Sequence, residues 1–408
     1  MTQSNDYPTK ESRPPCPELG APVTVATAPP DVRNWGPYQF PVLNRLDDGR
    51  IHLSFHVEAD HISAYGLPPA SAVSNDNGRS WQNLSGEDLP ADLEALMSGG
   101  HGQLLPNGDR IRAKALRSKL VSELNLPETP FATTLCYRNP YSIYRVEDLP
   151  EECRQGWILQ RKRKGESEWH DEQNVVRLGG GETRAVTCQH MSFPWLFPQM
   201  VVAPDGSILS TSYTIFRVVD GRIDDPRFRI VVLRSTDDGR SWDFQGEIPF
   251  QDDPVHDAGN KRNGYTEPFL CFAPDGNALC LLRTTDHNGP GPLYLSRSSD
   301  LGRTWSAPQH FDDLGVYPQM LALENGKMLA AYGRPGLYVR ATHDPSGEEW
   351  GARVAVVEPG QLTKDTCSYA SFLATGPDSA LIAYSEFNVP DEDGRPRKTI
   401  RVREVTCA

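Results

Sequence analysis

Chemically reactive side chains recur at two fixed positions of a repeat that runs through this 408-residue chain. Each repeat has two apolar segments around a turn, and we number it from the residue that opens the first segment. That first position holds Phe40, Phe197, Glu267, Tyr317 and, in a looser copy, Tyr369. Sixteen residues later stand His56, Tyr213, Arg283, Gly333–Arg334 and Ser385–Glu386. Packing alone would favour Val, Leu and Ile there, so these polar and aromatic groups predict a ligand site where the repeats converge.

Hairpins of short strands must hold these residues in place. Between Gly264 and Trp305, an apolar run precedes the turn Pro274–Asn277, a second run ends at Arg283, and another short strand covers Leu293–Arg297. Apolar runs around such turn residues are typical of β-hairpins. His101–Gly108 is a weaker copy, which brings the number of units to six at a spacing of roughly 45 to 70 residues. The chain is therefore predicted to be all-β, a six-bladed β-propeller of four-stranded antiparallel blades.

A second motif, S-x-D-x-G-x-[ST]-W, supports this prediction. It occurs at Ser74–Trp81, Ser235–Trp242 and Ser298–Trp305, with a degenerate copy at Thr342–Trp350. The Asp carboxylate can accept bonds from N–H groups of the turn, the Gly can adopt positive φ, and the Trp can pack its ring on the blade. Three clean copies in one chain indicate a repeated tight hairpin.

The repeats divide the chain into a tail and one domain. Residues 1–19 are polar and Pro-rich and are predicted to be disordered, and residues 20–408 form a single propeller whose strand 21–28 closes the ring by pairing with the last blade. We expect blades at about 37–82, 96–177, 190–247, 263–310, 316–357 and 367–405. Blade two contains an insertion at about 116–150, whose segment LRSKLVSELNL could form a short helix. Its basic run Arg161–Lys164 is interpreted as a solvated strand edge.

Composition argues against several classes of protein. With 54 acidic and 41 basic residues, the net charge of −13 disfavours binding to nucleic acid or to an anionic membrane. The eight Cys form no CxxC pair, and no other motif predicts a metal or a cofactor. Cys271 and Cys280 flank one turn symmetrically and are expected to be reduced and to face each other. Because the N-terminus has no apolar signal segment, we expect a cytoplasmic protein.

The S-x-D-x-G-x-[ST]-W motifs resemble Asp boxes, and the chain resembles the sialidase (neuraminidase) superfamily of six-bladed β-propellers. The resemblance implies a retaining exo-glycosidase that acts on a terminal sugar of a glycan or glycoconjugate. It assigns Tyr369 as the nucleophile, Glu267 as its base, and Arg283 and Arg334 as two of three Arg side chains that clamp a substrate carboxylate. The chemistry is coherent, because a guanidinium binds a planar carboxylate well and a neutral Tyr avoids repulsion from an anionic sugar.

Two features depart from the pattern of that superfamily. Gln39 stands where the first Arg of the clamp is expected, so one charge is missing. The acid/base Asp is assigned to Asp60, which lies in a loop of the expected position beside Glu58 and His61. The substrate could therefore carry a sialic acid, a uronic acid or a neutral sugar. The other residues predicted to contact the substrate are Gln39, His56, His101, Tyr213, Tyr317 and Glu386.

Several alternatives remain open at this stage. Glu267 and Arg283 could form a structural ion pair, Arg334 could pair with Asp344 or Glu386, and Tyr369 could belong to the core. The protein could also be a uronate hydrolase or lyase that uses His56, His101 or His190, or a non-catalytic propeller that binds carbohydrate or protein. The sequence does not predict an oligomeric state.

Overall fold

The computed structural model describes most of the chain, namely residues 17–61, 64, 67–84, 102–113, 121–136, 139–150, 158–177, 185–188, 199–213, 215–216, 218–258, 262–284, 291–360 and 365–407. The described residues form 31 strands and two short 3-10 turns, Val121–Glu123 and Val146–Asp148. They make up eight small sheets of mainly antiparallel strands, of which six follow one another along the chain as blades. The prediction of an all-β, six-bladed propeller is confirmed.

The two ends of the chain close the ring. Strands β1 (Glu18–Leu19) and β2 (Val23–Thr27) pair antiparallel with the last strand of the chain, Pro396–Thr406. The N-terminal segment therefore supplies the outer strand of blade six, as predicted. Such closure leaves no long unpaired edge between the first and the last blade.

Blades one and two come next. Blade one consists of β3 (Gln39–Arg45), β4 (Ile51–His56), β5 (Ala70–Ser74) and β6 (Gln82–Leu84). Blade two and its insertion consist of β7 (Gln103–Leu104), β8 (Arg110–Ala113), β9 (Ala132–Cys136), β10 (Asn139–Arg145), β11 (Ile158–Lys162) and β12 (His170–Gln173). Of these, β9 and β10 form the insertion, a hairpin that makes a separate three-stranded sheet with a strand at Ala185–Cys188.

Blade three has five strands and a small side hairpin. The strands in this region are β13 (Val175–Arg177), β14 (Ala185–Cys188), β15 (Met200–Val202), β16 (Ile208–Ser212), β17 (Val218–Val219), β18 (Arg222–Ile223), β19 (Ile230–Ser235) and β20 (Ser241–Ile248). The blade itself has the order β13-β20-β19-β16-β15, and β17 pairs with β18 outside it.

Blades four to six are regular. Blade four consists of β21 (Tyr265–Phe272), β22 (Ala278–Thr284), β23 (Leu293–Ser298) and β24 (Gln309–Asp312). Blade five consists of β25 (Val316–Ala322), β26 (Met328–Gly333), β27 (Leu337–Ala341) and β28 (Val354–Val357). Blade six consists of β29 (Ser371–Gly376), β30 (Ser379–Pro390) and β31 (Pro396–Thr406) together with the N-terminal strands. The middle strands β22 and β26 are buried along their whole length, which places the core between neighbouring blades.

Three expectations about blade two require correction. Strand β13, which was assigned to blade two, pairs parallel with β20 of blade three. The basic run does not lie on a strand edge, because β11 pairs with β8 on one side and with β12 on the other. The segment expected as a helix contains, in its described part, only the 3-10 turn at Val121–Glu123.

The repeated Asp turns have the predicted geometry. In the copy at Ser298–Trp305, Asp300 accepts bonds from the backbone N–H of Thr304 at 2.9 Å and from its hydroxyl at 2.6 Å, while Ser298 Oγ accepts the N–H of Gly302 at 2.8 Å. Trp305 donates its indole N–H to the carbonyl of Gly302 at 3.0 Å. Partial burial acts to raise the pKa of Asp300, but the bonds from Thr304 outweigh it and lower that pKa to about 2. These bonds stand in for water at the polar groups that they join.

The cysteines agree only in part with expectation. Cys271 and Cys280 are free thiols, as predicted, but they do not pair directly, since Cys271 lies opposite Leu279 and Cys280 opposite Leu270. Cys407 is disulfide-bonded, and its partner lies outside the described residues. No helix in the described part of the chain is long and apolar enough to span a bilayer.

Candidate active site

A repeated backbone kink presents the predicted first-position residues. Phe40, Glu267 and Tyr317 have φ values of 56°, 43° and 44°, a region that bulky residues rarely adopt. At each of them the pairing of the first two strands of the blade shifts by one residue, which is a β-bulge. The same strained turn in three blades, each time directly before a proline, indicates that the kink directs side chains toward a common point.

The last blade shares this register. Ser371 lies opposite Ala383, twelve residues later, as Phe269 lies opposite Leu281 in blade four. This correspondence makes Tyr369 the equivalent of Glu267, as the sequence predicted. At the start of blade six the residue with positive φ is Ser368, at 62°, so the kink precedes Tyr369 by one position.

Tyr369, Glu267 and Arg283 form a linked chain of hydrogen bonds. Tyr369 donates its phenolic hydroxyl to Glu267 Oε1 at 2.6 Å, and Arg283 Nη1 donates to Glu267 Oε2 at 2.5 Å. The Arg283 side chain is 4% exposed and that of Glu267 13%. The carboxylate of Glu267 therefore uses one oxygen for the ion pair with Arg283 and the other for the phenol of Tyr369.

Aromatic rings surround the phenol of Tyr369. Tyr317 stacks on it with ring centroids 4.0 Å apart and an interplanar angle of 20°, and Phe40 meets it edge-on at 4.9 Å. Burial and the negative charge of Glu267 raise the pKa of Tyr369 well above its usual value. The phenol therefore stays protonated at neutral pH and can become a nucleophile only as its proton passes to a base.

Trp35 connects the loop of Asp60 to this group. Its indole N–H donates to Asp60 Oδ2 at 2.9 Å, and its ring meets Phe40 edge-on at 6.4 Å. The close approach of the two loops depends on Gly36, which has φ of 113° and where a Cβ atom would lie 2.1 Å from the backbone nitrogen of Asp60. Asp60 is therefore an exposed carboxylate that is linked to Phe40 through Trp35, and its role as the acid/base stays a prediction.

Arg334 supplies a second guanidinium, which lies over the ring of Trp35. Its Cζ lies 5.1 Å from the centroid of the Trp35 ring, and its Nη2 donates to the carbonyl of Cys367 at 2.7 Å. The predicted alternatives for Arg334 are wrong in this structure, because Asp344 is used by its own turn and Glu386 by Arg401. The positive charge of Arg334 acts to lower the pKa of Tyr369, against the larger opposite effects of burial and Glu267.

His56 lies beside Phe40, with ring centroids 5.1 Å apart. Burial lowers the pKa of His56 below its usual value, although the nearby charge of Asp60 acts in the opposite direction. The imidazole is therefore mainly neutral at pH 7 and can accept a proton. We use the name funnel cluster for the connected group Trp35, Phe40, His56, Asp60, Glu267, Arg283, Tyr317, Arg334 and Tyr369.

Gln39 lies behind the funnel cluster and is fully buried. It pairs with His56 across the first two strands of blade one and lines a cavity of about 150 Å³ together with Trp35 and Lys398. Lys398 is itself buried and donates to the carbonyls of Asn34 at 2.9 Å and Pro37 at 2.5 Å. The ammonium group of Lys398 therefore lies under the loop that carries Trp35. Lys398 lines the same cavity as Gln39, the residue that stands where an Arg was expected.

Two of the predicted contact residues lie elsewhere. Tyr213 belongs to a hydrophobic core cluster and packs near Phe228 at a centroid distance of 6.3 Å, so the assignment of Tyr213 to the site is not supported by its position. Glu386 is held by Arg401 at 2.7 Å and makes no described contact with the funnel cluster. His101, His190 and Phe197 lie outside the described residues.

Sequence reasoning missed Trp35 and Lys398. The only local signal for Trp35 is the segment NWGPYQFP, in which an aromatic residue and a glycine stand four and three residues before the first strand of blade one. Lys398 carries no local signal, because its partners are about 360 positions away in the chain. No group of three potential metal ligands occurs among the residues that the structure describes.

Comparison with known proteins gives a family match and a fold match. Residues 183–380 match the family described as the BNR repeat-like domain. A protein of unknown function from Dyadobacter fermentans has a TM-score of 0.62 at 16% identity, covering 96% of this chain and 99% of that one. A GH93 α-L-arabinofuranosidase of Fusarium graminearum, solved with arabinobiose, has a TM-score of 0.50 at 12% identity and coverages of 94% and 97%.

A sialidase from Streptococcus pneumoniae aligns with a TM-score of 0.44 at 13% identity, over 94% of this chain and 70% of that one, which is too distant to support a conclusion. No curated protein matches the sequence. The repeat family, the six blades and the in-register first positions agree with one another. The chain is therefore a six-bladed β-propeller, as predicted, and residues 183–380 of it match the BNR repeat-like domain.

Proposed function

We propose that this protein is a retaining exo-glycosidase that removes a terminal, acidic sugar from a glycan. The observation that carries the proposal is the bond of 2.6 Å from the Tyr369 hydroxyl to Glu267, within the funnel cluster. A phenol with a raised pKa is a poor nucleophile by itself, and a carboxylate at this distance can take its proton as a new bond forms.

In the first step, Tyr369 Oη attacks the anomeric carbon while the bond to the leaving oxygen breaks. The phenolic proton passes to Glu267, and Asp60 in its acid form protonates the departing oxygen. In the second step, Asp60 takes a proton from water, the water oxygen attacks the anomeric carbon, and Tyr369 leaves with the proton that Glu267 held. Two inversions give a product with retained configuration.

Acidic sugars are favoured by the charges of the funnel cluster. Arg283 and Arg334 place two guanidinium groups beside Tyr369, and a guanidinium matches a carboxylate in geometry. Arg283 already donates to Glu267, so Arg334 is the main candidate to bind a substrate carboxylate. Gln39 is neutral, which lowers the total charge of the site relative to a clamp of three Arg side chains.

A panel of fluorogenic substrates tests the proposal. It contains an α-sialoside, several uronides, and neutral glycosides that include an α-L-arabinofuranoside, a substrate type suggested by the name of one structural relative. Release of an acidic sugar, lost in Glu267→Gln, would support the proposal. Release of a neutral sugar only would refute the acidic specificity, and silence on every substrate would favour a binding module.

A second candidate is elimination at a uronate with His56 as the base. The specific observation in its favour is the lowered pKa of His56 inside the funnel cluster, which leaves a neutral imidazole at pH 7. Such a reaction would produce an unsaturated sugar that absorbs in the ultraviolet. Its formation by wild type and by Tyr369→Phe, but not by His56→Ala, would favour the lyase over the hydrolase.

A further inference from the structure

A second concave surface lies on the face of the propeller opposite the funnel cluster. It is formed by the turn after β3, the turn after β7 and the loop between β11 and β12, and its volume is about 700 Å³. That volume is within the range of roughly 300–1,000 Å³ that is typical of sites for small ligands. We call this surface the basic groove, defined by Leu104, Arg110, Lys162, Arg163, Lys164 and Trp169. Three carboxylates, those of Asp47, Asp48 and Glu166, also line it, so its cations outnumber its anions by one.

The basic groove occupies the place where the motif-bearing blades have an Asp turn. In blade two, the loop between the third and fourth strands reads Arg163-Lys164-Gly165-Glu166-Ser167-Glu168-Trp169. Gly165 has positive φ, at 85°, and a Trp follows it, as in the motif copies of the other blades. The Asp and the Ser that stabilise those turns are absent, and basic residues precede the glycine instead.

Hydrogen bonds to Asp109 and Glu172 nevertheless hold this loop in place. Arg161 is 5% exposed and donates to Glu172 at 2.9 Å and to Asp109 at 3.3 Å. The backbone N–H of Lys164 donates to Asp109 at 3.0 Å, and the stem of Lys164 packs on Gly108. The buried Arg161 therefore stabilises the hairpin and leaves the following cations at the surface.

The cations of the basic groove can exchange their weak ion pairs within the protein for contacts with an anionic ligand. Arg110 and Lys162 pair with Asp47, at 3.1 and 3.4 Å, but the Asp47 side chain is 64% exposed, and such pairs contribute little free energy in water. Arg163 is 70% exposed and lies 3.8 Å from Glu166. In the part of the chain that the structure describes, the ammonium of Lys164 makes no ion pair.

Trp169 gives the groove an apolar wall. The guanidinium of Arg112 stacks on the indole at 4.0 Å, and the ammonium of Lys162 lies 6.0 Å from the ring centroid. Arg112 is buried and bonds to Gln160 at 2.9 Å, so the ring is held in one orientation. A fixed indole beside several cations matches the two faces of an acidic sugar, an apolar C–H face and an anionic substituent.

We propose that the basic groove is a second, non-catalytic site that binds an acidic oligosaccharide. Arg110, Lys162, Arg163 and Lys164 hold its carboxylate or sulfate groups, and Trp169 packs against a sugar ring. The overall charge of −13 repels polyanions at long range, so binding is short-ranged, selective for this surface and sensitive to salt. The site does not depend on the catalytic assignment.

Calorimetric titration of the full chain with a tetragalacturonate and with a heparin-derived tetrasaccharide tests the proposal, with cellotetraose as the neutral probe. Wild type should bind at least one acidic probe and not the neutral one. Lys164→Glu should weaken binding about fivefold, which is the upper end for one exposed charge contact and is expected because the change adds repulsion as well as removing attraction. The charge-matched control is Arg395→Glu, because Arg395 is 67% exposed in a turn of blade six, and it should leave affinity unchanged.

Trp169→Ala separates a sugar site from a general anion site. It should weaken binding of the acidic oligosaccharide, with the fold checked by circular dichroism, and Trp169→Phe should restore part of the affinity if Ala proves unstable. Absence of binding by wild type, equal losses in Lys164→Glu and Arg395→Glu, or tighter binding of an oligoglutamate peptide than of either oligosaccharide would each overturn the proposal.

Discussion

Replacing Tyr369 by Phe removes one oxygen atom from the funnel cluster and leaves its packing intact. The lost group is the hydroxyl that donates to Glu267 at 2.6 Å. Glu267 keeps its bond to Arg283, so no buried charge becomes unpaired. Hydrogen bonds to charged groups contribute about 1.5–3 kcal/mol to stability, and Tyr369→Phe should therefore lower the free energy of unfolding by about that amount and remain folded.

The effect on catalysis should be far larger than the effect on stability. Without the nucleophilic oxygen, we expect kcat to fall roughly 10³-fold or more, which is about 4 kcal/mol of transition-state stabilisation. KM should change little, because Phe still stacks on Tyr317. The assay compares kcat and KM on the best substrate of the panel with the midpoint of urea unfolding, for each variant.

Tyr317→Phe is the matched control for this substitution. Its ring stacks on Tyr369 at 4.0 Å, but its hydroxyl makes no hydrogen bond to any described residue. We expect kcat to stay within about threefold of wild type, because the stacked ring is preserved. Activity of Tyr369→Phe within tenfold of wild type, or equal losses in the two variants, would refute the role of Tyr369.

Three further predictions concern Asp60, Asp300 and Lys398. Asp60→Ala should reduce kcat roughly 10²-fold for a substrate with an alkyl leaving group but much less for an aryl glycoside with an acidic phenol, because the latter needs no proton. Asp300→Asn should cost about 1–2 kcal/mol near pH 7, and the difference should vanish between about pH 4 and pH 2 in urea titrations, since the folded pKa of about 2 lies below the unfolded one. Burial lowers the pKa of Lys398 to about 8, so stability of wild type relative to Lys398→Met should rise as pH increases from 8 towards 10.5. A flat difference over that range would contradict the assignment of this pKa.

The positions of Glu267, Arg283 and Tyr369 were predictable because spacing in a hairpin is rigid. A turn glycine nine residues after the first position fixes which residue opens the strand, and the partner sixteen residues later follows from the pairing. The strained φ values at Phe40 and Tyr317 are local consequences of the same repeat. The spacing within the repeat was therefore enough to predict that these three residues lie close together.

Contacts between distant segments were not predictable. The bond from Trp35 to Asp60 and the position of Lys398 depend on how blades one and six close the ring, and no local pattern records that closure. The alternatives that paired Arg334 with Asp344 or Glu386 were wrong for a related reason, since Asp344 is held in its own turn and Glu386 by Arg401. The basic run was interpreted as a strand edge, and this is wrong because β11 pairs with β8 on one side and with β12 on the other.

The most direct test of the catalytic account is to identify the residue that forms a covalent bond to the substrate. A fluorinated donor of the sugar found in the panel, with a good leaving group, should accumulate a glycosyl-enzyme intermediate. Peptide mapping by mass spectrometry should then locate the added mass on Tyr369 in wild type and find none in Tyr369→Phe. An adduct on Glu267 or Asp60, or turnover with inverted product and no adduct, would contradict the account.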